Sequence, residues 1–143
     1  MGLGTDCSGG YAPSILRTLQ DACITSKILS LAPSTKELSE TSLEGKHLPI
    51  ATLLYLATLG GASVCGLDDK IGNFIVGKEF DALIASVPGA GGEDHFGGGG
   101  NPAVWYVEND TTQTLVERFI FGGDDRNIKD VFVCGRKVSG WRQ

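Results

Sequence analysis

The sequence predicts an α/β fold, on three observations. A short apolar entry, Met1 to Gly4, runs into Thr5-Asp6 and a small polar turn, as the end of a strand does when it delivers a side chain into a βα loop. From Pro13 onward apolar residues recur at helical spacing. After Phe74 the pattern changes to short β-branched and aromatic runs between turn signals, which is strand chemistry.

Asp6, in the opening loop, has two readings. It can cap the turn or helix that follows, a common use of Asp, and the local pattern by itself favours this. Alternatively, a carboxylate at the carboxyl end of a strand can ligate a metal and move protons. Beyond it, Pro13 suits the first turn of a helix, where its missing N–H costs nothing. That helix carries Ile15, Leu16, Leu19, Cys23 and Ser26 on one face and runs to about Ser30, before Pro33. Leu31 to Lys46 is rich in Ser, Thr and Glu and reads as a surface connection with a helical turn near Glu37.

A second helix opens at Pro49 with Ile50, Leu53, Leu54 and Ala57 on its apolar side. Gly60-Gly61 is expected to break or kink it and to permit a close backbone approach, with another helical turn from Ala62 to Cys65. Phe74-Ile75-Val76 and Ala82 to Ala85 read as short strands joined through a turn at Gly77-Lys78. Ala90 to Pro102 is Gly-rich, and Ala103 to Glu108 reads as a strand. Thr111 or Thr112 is expected to cap a helix with Leu115, Val116 and Phe119 on its buried side. Val131 to Val133 should then pair with Lys137-Val138 across a tight turn at Gly135-Arg136.

Bulk properties exclude several functions. A net charge of −5, a pI near 4.9 and twelve scattered basic residues give no patch for nucleic acid or an anionic membrane. No apolar run is long enough to span a bilayer, and the amino terminus lacks the pattern of a signal peptide. Hydrophobic content of 41% with 20% charged residues is ordinary for a packed domain, so disorder throughout is not expected. The four cysteines, Cys7, Cys23, Cys65 and Cys134, stand far apart without a C-x-x-C pair. They read as reduced thiols of a cytoplasmic protein.

The glycine loops do not cradle phosphate. Gly2-x-Gly4 lacks the third glycine of a dinucleotide fingerprint, since position 7 is Cys7, and Gly97 to Gly100 is not followed by Lys-Ser or Lys-Thr. Lys78 reads as a solvated residue at a turn. His47 and His95 are the two histidines: the first suits a polar surface or capping role, the second sits in the glycine loop. Asp124-Asp125-Arg126 reads as a loop in which one carboxylate pairs with the arginine.

Three blocks carry a resemblance. Gly2-Leu3-Gly4-Thr5-Asp6 with Ser8-Gly9-Gly10-Tyr11 resembles the last barrel strand of the amidohydrolase superfamily. Gly66-Leu67-Asp68-Asp69-Lys70-Ile71-Gly72-Asn73-Phe74 with Val76-Gly77-Lys78-Glu79-Phe80-Asp81-Ala82, and Arg118 to Ile128, resemble the carboxyl-terminal part of its guanine deaminase branch. The resemblance implies the end of a (β/α)₈ TIM barrel over residues 1–66, with its last strand and following helices. Residues 67–143 would be part of a small accessory β-sandwich.

It also implies zinc as cofactor, guanine as substrate, and hydrolysis to xanthine and ammonia. Asp6 would be both metal ligand and proton shuttle. The family's remaining ligands are a His-x-His pair and two single histidines, none of which has a counterpart here. Met1 stands where the family's last strand begins, so the expectation is a fragment, a misplaced start or a shortened relative, inactive by itself. A non-catalytic interaction module and an amidohydrolase of another specificity are the alternatives, and a homo-oligomer is compatible with each.

Overall fold

A computed structural model describes residues 1–31, 47–87, 101 and 103–140. The chain divides into two compact units, Met1–Asp68 and Asp69–Gln143. The turn expected near Glu37 and the glycine run from position 91 to 100, with His95, lie outside the described residues.

The first unit is helical. Helix α1 spans Ile15–Leu31. Its start is set by Ser14, whose Oγ accepts a hydrogen bond from the Arg17 amide at 3.4 Å, leaving Pro13 just before the cap. Leu19, Cys23 and Ser26, three of the five residues of the expected face, are buried. Ser26 Oγ donates to the Cys23 carbonyl at 2.8 Å and accepts from the Leu48 amide at 3.2 Å, which satisfies a buried hydroxyl and ties α1 to the entry of the next helix.

Helix α2 spans Ile50–Ala57, buries Leu53 and Leu56, and packs on α1. Helix α3 spans Leu59–Val64. The break between them falls at Thr58, with φ −126° and ψ −97°, and not at Gly60-Gly61, which lie inside α3. Thr58 Oγ1 donates to the Leu54 carbonyl at 2.7 Å, so side-chain bonding to the preceding turn accompanies the change of direction. The glycine pair does permit a close approach, but to the amino-terminal segment. A Cβ on Gly60 would lie 2.6 Å from the Met1 carbonyl oxygen, and one on Gly2 would lie 2.7 Å from Gly61 Cα.

Residues 1–5 lie in neither a helix nor a strand, contrary to the expected strand end. The Leu3 amide donates to the Leu56 carbonyl at 3.1 Å, holding this segment against the end of α2.

The second unit holds an antiparallel sheet of order β1-β2-β3, built from β1 (Ala82–Ala85), β2 (Ile128–Val133) and β3 (Arg136–Gly140). β2 and β3 form the expected hairpin, but its two-residue turn is Cys134-Gly135, both at positive φ (49° and 72°), and Arg136 already pairs with Val133. Positive φ at both central positions is the hairpin geometry that matches strand twist. Phe132 packs edge-on against Phe80 at 5.5 Å between ring centroids.

Helix α4 spans Thr112–Gly122, and Thr111 caps it by accepting from the Thr114 amide at 3.2 Å. Its deepest residue is Ile120, at 1% exposure; Leu115, Val116 and Phe119 are half-buried. The helix ends at the Gly122-Gly123 pair.

Two expected strands are absent, for a common reason. At 74–76, Asn73 Oδ1 accepts from the Ile75 amide at 3.3 Å and the Lys78 amide donates to the Ile75 carbonyl at 3.2 Å. Gly77, at φ 98°, makes the turn that was expected there. At 103–108, the Ala103 amide donates to Asn101 Oδ1 at 2.9 Å and the Val107 amide to Asp110 Oδ2 at 2.7 Å. Asn and Asp side chains thus offer these backbones an alternative to ladder pairing. No described helix is long and apolar enough to cross a membrane.

Candidate functional site

The loop from Asp6 to Gly10 is the candidate site. Asp6 and Ser8 both have positive φ, 47° and 105°. Asp tolerates the left-handed region better than most residues, whereas Ser at 105° is outside its ordinary range. Such backbone strain persists only where surrounding structure over-determines it, and it gathers at functional sites. The surrounding structure here is local. The amides of Gly9 and Gly10 both donate to the Asp6 carbonyl, the first at 2.9 Å, and Cys7 and Gly10 form an isolated bridge.

Gly10 is packed so closely on the Thr5 carbonyl that a side chain there would collide with backbone. Gly9 faces the Asp6 carboxylate instead: a Cβ would lie 2.5 Å from Oδ2 and 3.1 Å from Cγ. The backbone of the loop is therefore turned inward on itself, and the Asp6 side chain is exposed over Gly9.

Immediately after the loop stands a cluster that sequence reading missed. The Tyr11 hydroxyl donates to Asp21 Oδ2 and accepts from Arg17 Nε at 3.0 Å, and Arg17 Nε lies 3.4 Å from Asp21 Oδ1. The Tyr11 hydrogen bond, then the Asp21 charge, raise the Arg17 guanidinium above its ordinary value. Arg17 and Asp21 at i, i+4 were the available signal; nothing in the spacing pointed to Tyr11. The cluster moors the end of the loop to the first turns of α1.

The other candidates resolve into structural roles. His47 is exposed, and the residue before α2 is Pro49, which makes no side-chain cap. Lys78 is half-buried and donates to the Ile71 carbonyl at 3.3 Å, in place of the solvated side chain expected. Asp124 pairs with Arg126 at 2.7 Å and caps the short 3₁₀ turn Asp125–Asn127. The Arg126 hydrogen bond holds the Asp124 carboxyl below its ordinary value. All four cysteines are free thiols. The Cys134 thiol is pushed up, first by desolvation and then by the Glu79 and Asp81 carboxylates, which disfavours a reactive thiolate.

A second missed group is the buried pair Asn101 and Asn127, at 2% and 1% exposure. Asn101 Nδ2 donates to the Gly122 carbonyl at 2.8 Å and to Asn127 Oδ1 at 3.1 Å, and Asn127 Nδ2 donates to the Ser86 carbonyl at 2.9 Å. The end of α4, the entry to β2 and the exit of β1 meet through these amides.

Among the described residues, no three His, Cys, Asp or Glu side chains come together as a metal-holding group. A catalytic zinc takes about three protein ligands and an open position, so one carboxylate does not fit a zinc site by itself.

A model of the amidohydrolase family matches residues 1–138. The chain belongs to that family. Within it, the chain is 42% identical over 141 residues to a probable guanine deaminase of Schizosaccharomyces pombe, covering 99% of this chain and 24% of the relative. Among solved structures, the E. coli guanine deaminase aligns at a TM-score of 0.67 and 30% identity, over 99% of this chain and 28% of that one. The guanine deaminase from C. acetobutylicum, with guanine bound in its active site, aligns at 0.65 and 31% identity over 96% of this chain and 27% of that one. The chain thus spans about a quarter of the length of the amidohydrolases it matches.

Proposed function

We propose that this chain supplies part of the active site of a guanine-deaminating amidohydrolase, with Asp6 as its reacting carboxylate. The observation that supports this most is the 42% identity to a probable guanine deaminase over an alignment that covers 99% of this chain. In this reading unit 1 belongs to the end of a (β/α)₈ barrel and unit 2 to the accessory β-sandwich. The whole enzyme depends on zinc, acts in purine catabolism and works in the cytoplasm.

The reaction adds water to guanine and releases xanthine and ammonia. Asp6 accepts a proton from the attacking water at a carboxylate oxygen and hands it toward the leaving amine. Its exposure over the loop leaves the carboxylate accessible to both. Positive φ at Asp6 and the inward-turned amides of Gly9 and Gly10 fix the backbone from which that carboxylate reaches out. In the whole enzyme a bound zinc would supply Lewis-acid activation of the attacking water. Asp6 offers it one ligand, and the histidines that complete the set have no counterpart among His47 and His95.

The test is a comparison of two proteins. The 143-residue chain alone, given guanine and zinc, should release no ammonia above a blank. A chimera in which residues 1–143 replace the matching segment of the E. coli enzyme should convert guanine to xanthine. Turnover by the chain alone, or a folded chimera inert toward guanine, would contradict the proposal.

A further inference from the structure

Among the described residues most close approaches of glycine are to backbone, where a side chain would have to move the main chain. Gly10 against the Thr5 carbonyl, Gly2 against Gly61 and Gly123 against the Phe119 carbonyl are of this kind. Gly140 meets the Asp130 and Lys137 side chains together with the Lys129 carbonyl. Gly9 is different. The three atoms nearest to its missing Cβ all belong to the Asp6 side chain, at 2.5, 3.1 and 3.4 Å. Real Cβ atoms do not approach another heavy atom at 2.5 Å, so a residue with a side chain at position 9 and the present Asp6 rotamer exclude one another. The carboxylate is the free end of a short side chain and can swing away about its χ angles. The loop itself need not change, because its closure rests on backbone bonds from Gly9 and Gly10 to the Asp6 carbonyl. The positive φ angles of the loop fall at Asp6 and Ser8 and not at Gly9, whose backbone does not by itself require glycine.

We propose that Gly9 is a positioning residue, kept without a side chain so that the Asp6 carboxylate can lie over the loop in one rotamer. This rests on the reading of Asp6 as the reacting group. A side chain at position 9 turns the carboxylate out of that berth while leaving the fold in place. Misplacement of a reacting group by about 1 Å can cost on the order of 10²-fold in rate. Gly4, with nothing within 4 Å of its missing Cβ, is the internal control.

The experiment has a structural and a kinetic arm. In the 143-residue chain, NMR three-bond Hα–Hβ couplings report the Asp6 rotamer, and amide shifts across Ile15–Leu31 report the fold. Gly9→Ala should change the Asp6 couplings and leave the α1 shifts in place; Gly4→Ala should change neither. If Gly9→Ala also disturbs α1, the double variant Asp6→Ala/Gly9→Ala should restore the shifts, because the clash needs both side chains. Unchanged Asp6 couplings in Gly9→Ala, or no rescue in the double variant, overturns the proposal. In the chimera, Gly9→Ala should lower kcat by about 100-fold with KM within a few-fold; a proportionate loss of folded protein with kcat per folded molecule unchanged overturns it. An Asp6→Asn chimera that keeps its turnover while Gly9→Ala still shifts the couplings would remove the catalytic reading of Asp6 and leave the steric one standing.

Discussion

The Asp6 loop and the Asn101–Asn127 pair are two polar centres among the described residues, and they are built oppositely. Asn101 and Asn127 are almost wholly buried, and their amides bind Gly122, Ser86 and each other. Their polarity is consumed in joining chain segments. Asp6 is exposed, its own backbone and that of Ser8 are at positive φ, and the hydrogen bonds of the loop go to its carbonyl, not its carboxylate. A buried, satisfied polar group rigidifies a fold. The Asp6 carboxylate, held outward on a strained, self-closed loop, stays exposed and joins no chain segments.

That contrast is sharpest in stability. Asn127→Ala removes a donor to the Ser86 carbonyl and an acceptor for the Asn101 amide and the Asp124 amide. Leaving buried groups unpaired costs about 1–3 kcal/mol, and thermal or urea unfolding of the chain should show a loss of that size. Asp6→Asn, at an exposed position and with a side chain that tolerates positive φ as Asp does, should stay within about 0.5 kcal/mol of the parent. Equal losses at the two positions would erase the distinction.

A smaller effect separates the Asp124–Arg126 pair from both. The folded-state carboxyl of Asp124 is held below its unfolded value, first by the Arg126 hydrogen bond. Its contribution is therefore present above the unfolded carboxylate range, near pH 4, and is lost as pH falls through the lower folded value. Both side chains are substantially exposed, 40% and 55%, so solvent screening keeps the effect small. Stability measured from pH 6 down to pH 2 should fall slightly less steeply in Arg126→Ala than in the parent. A steeper fall in the variant would reverse the assigned sign.

What could be read in the sequence follows from how each element is stabilised. α1 and its buried Leu19, Cys23 and Ser26 were legible because a helix that packs on one side shows its period. The hairpin was legible from β-branched residues about a glycine turn, although the turn sits one residue earlier, at Cys134-Gly135. The runs 74–76 and 103–108 have strand composition yet form none, because Asn73, Asn101 and Asp110 bind their backbone amides locally. No periodicity reports that competition. Asp6 stood out through resemblance to a family motif, and the local pattern had favoured a cap. The geometry of its loop, the berth over Gly9 and the mooring of Tyr11 by Arg17 and Asp21 depend on atoms brought together by left-handed backbone, which spacing alone does not reveal.

The central claim is that Asp6 serves chemistry and Asn127 serves the fold, and one substitution tests it most directly. In the E. coli chimera, Asp6→Asn keeps the size of the side chain and removes the carboxylate proposed to take the proton. General acid–base groups contribute about 10²–10⁴-fold. The account predicts that kcat for guanine falls by that factor or more while the melting temperature matches the parent chimera. Turnover within a few-fold of the parent, in a protein equally folded, would contradict it.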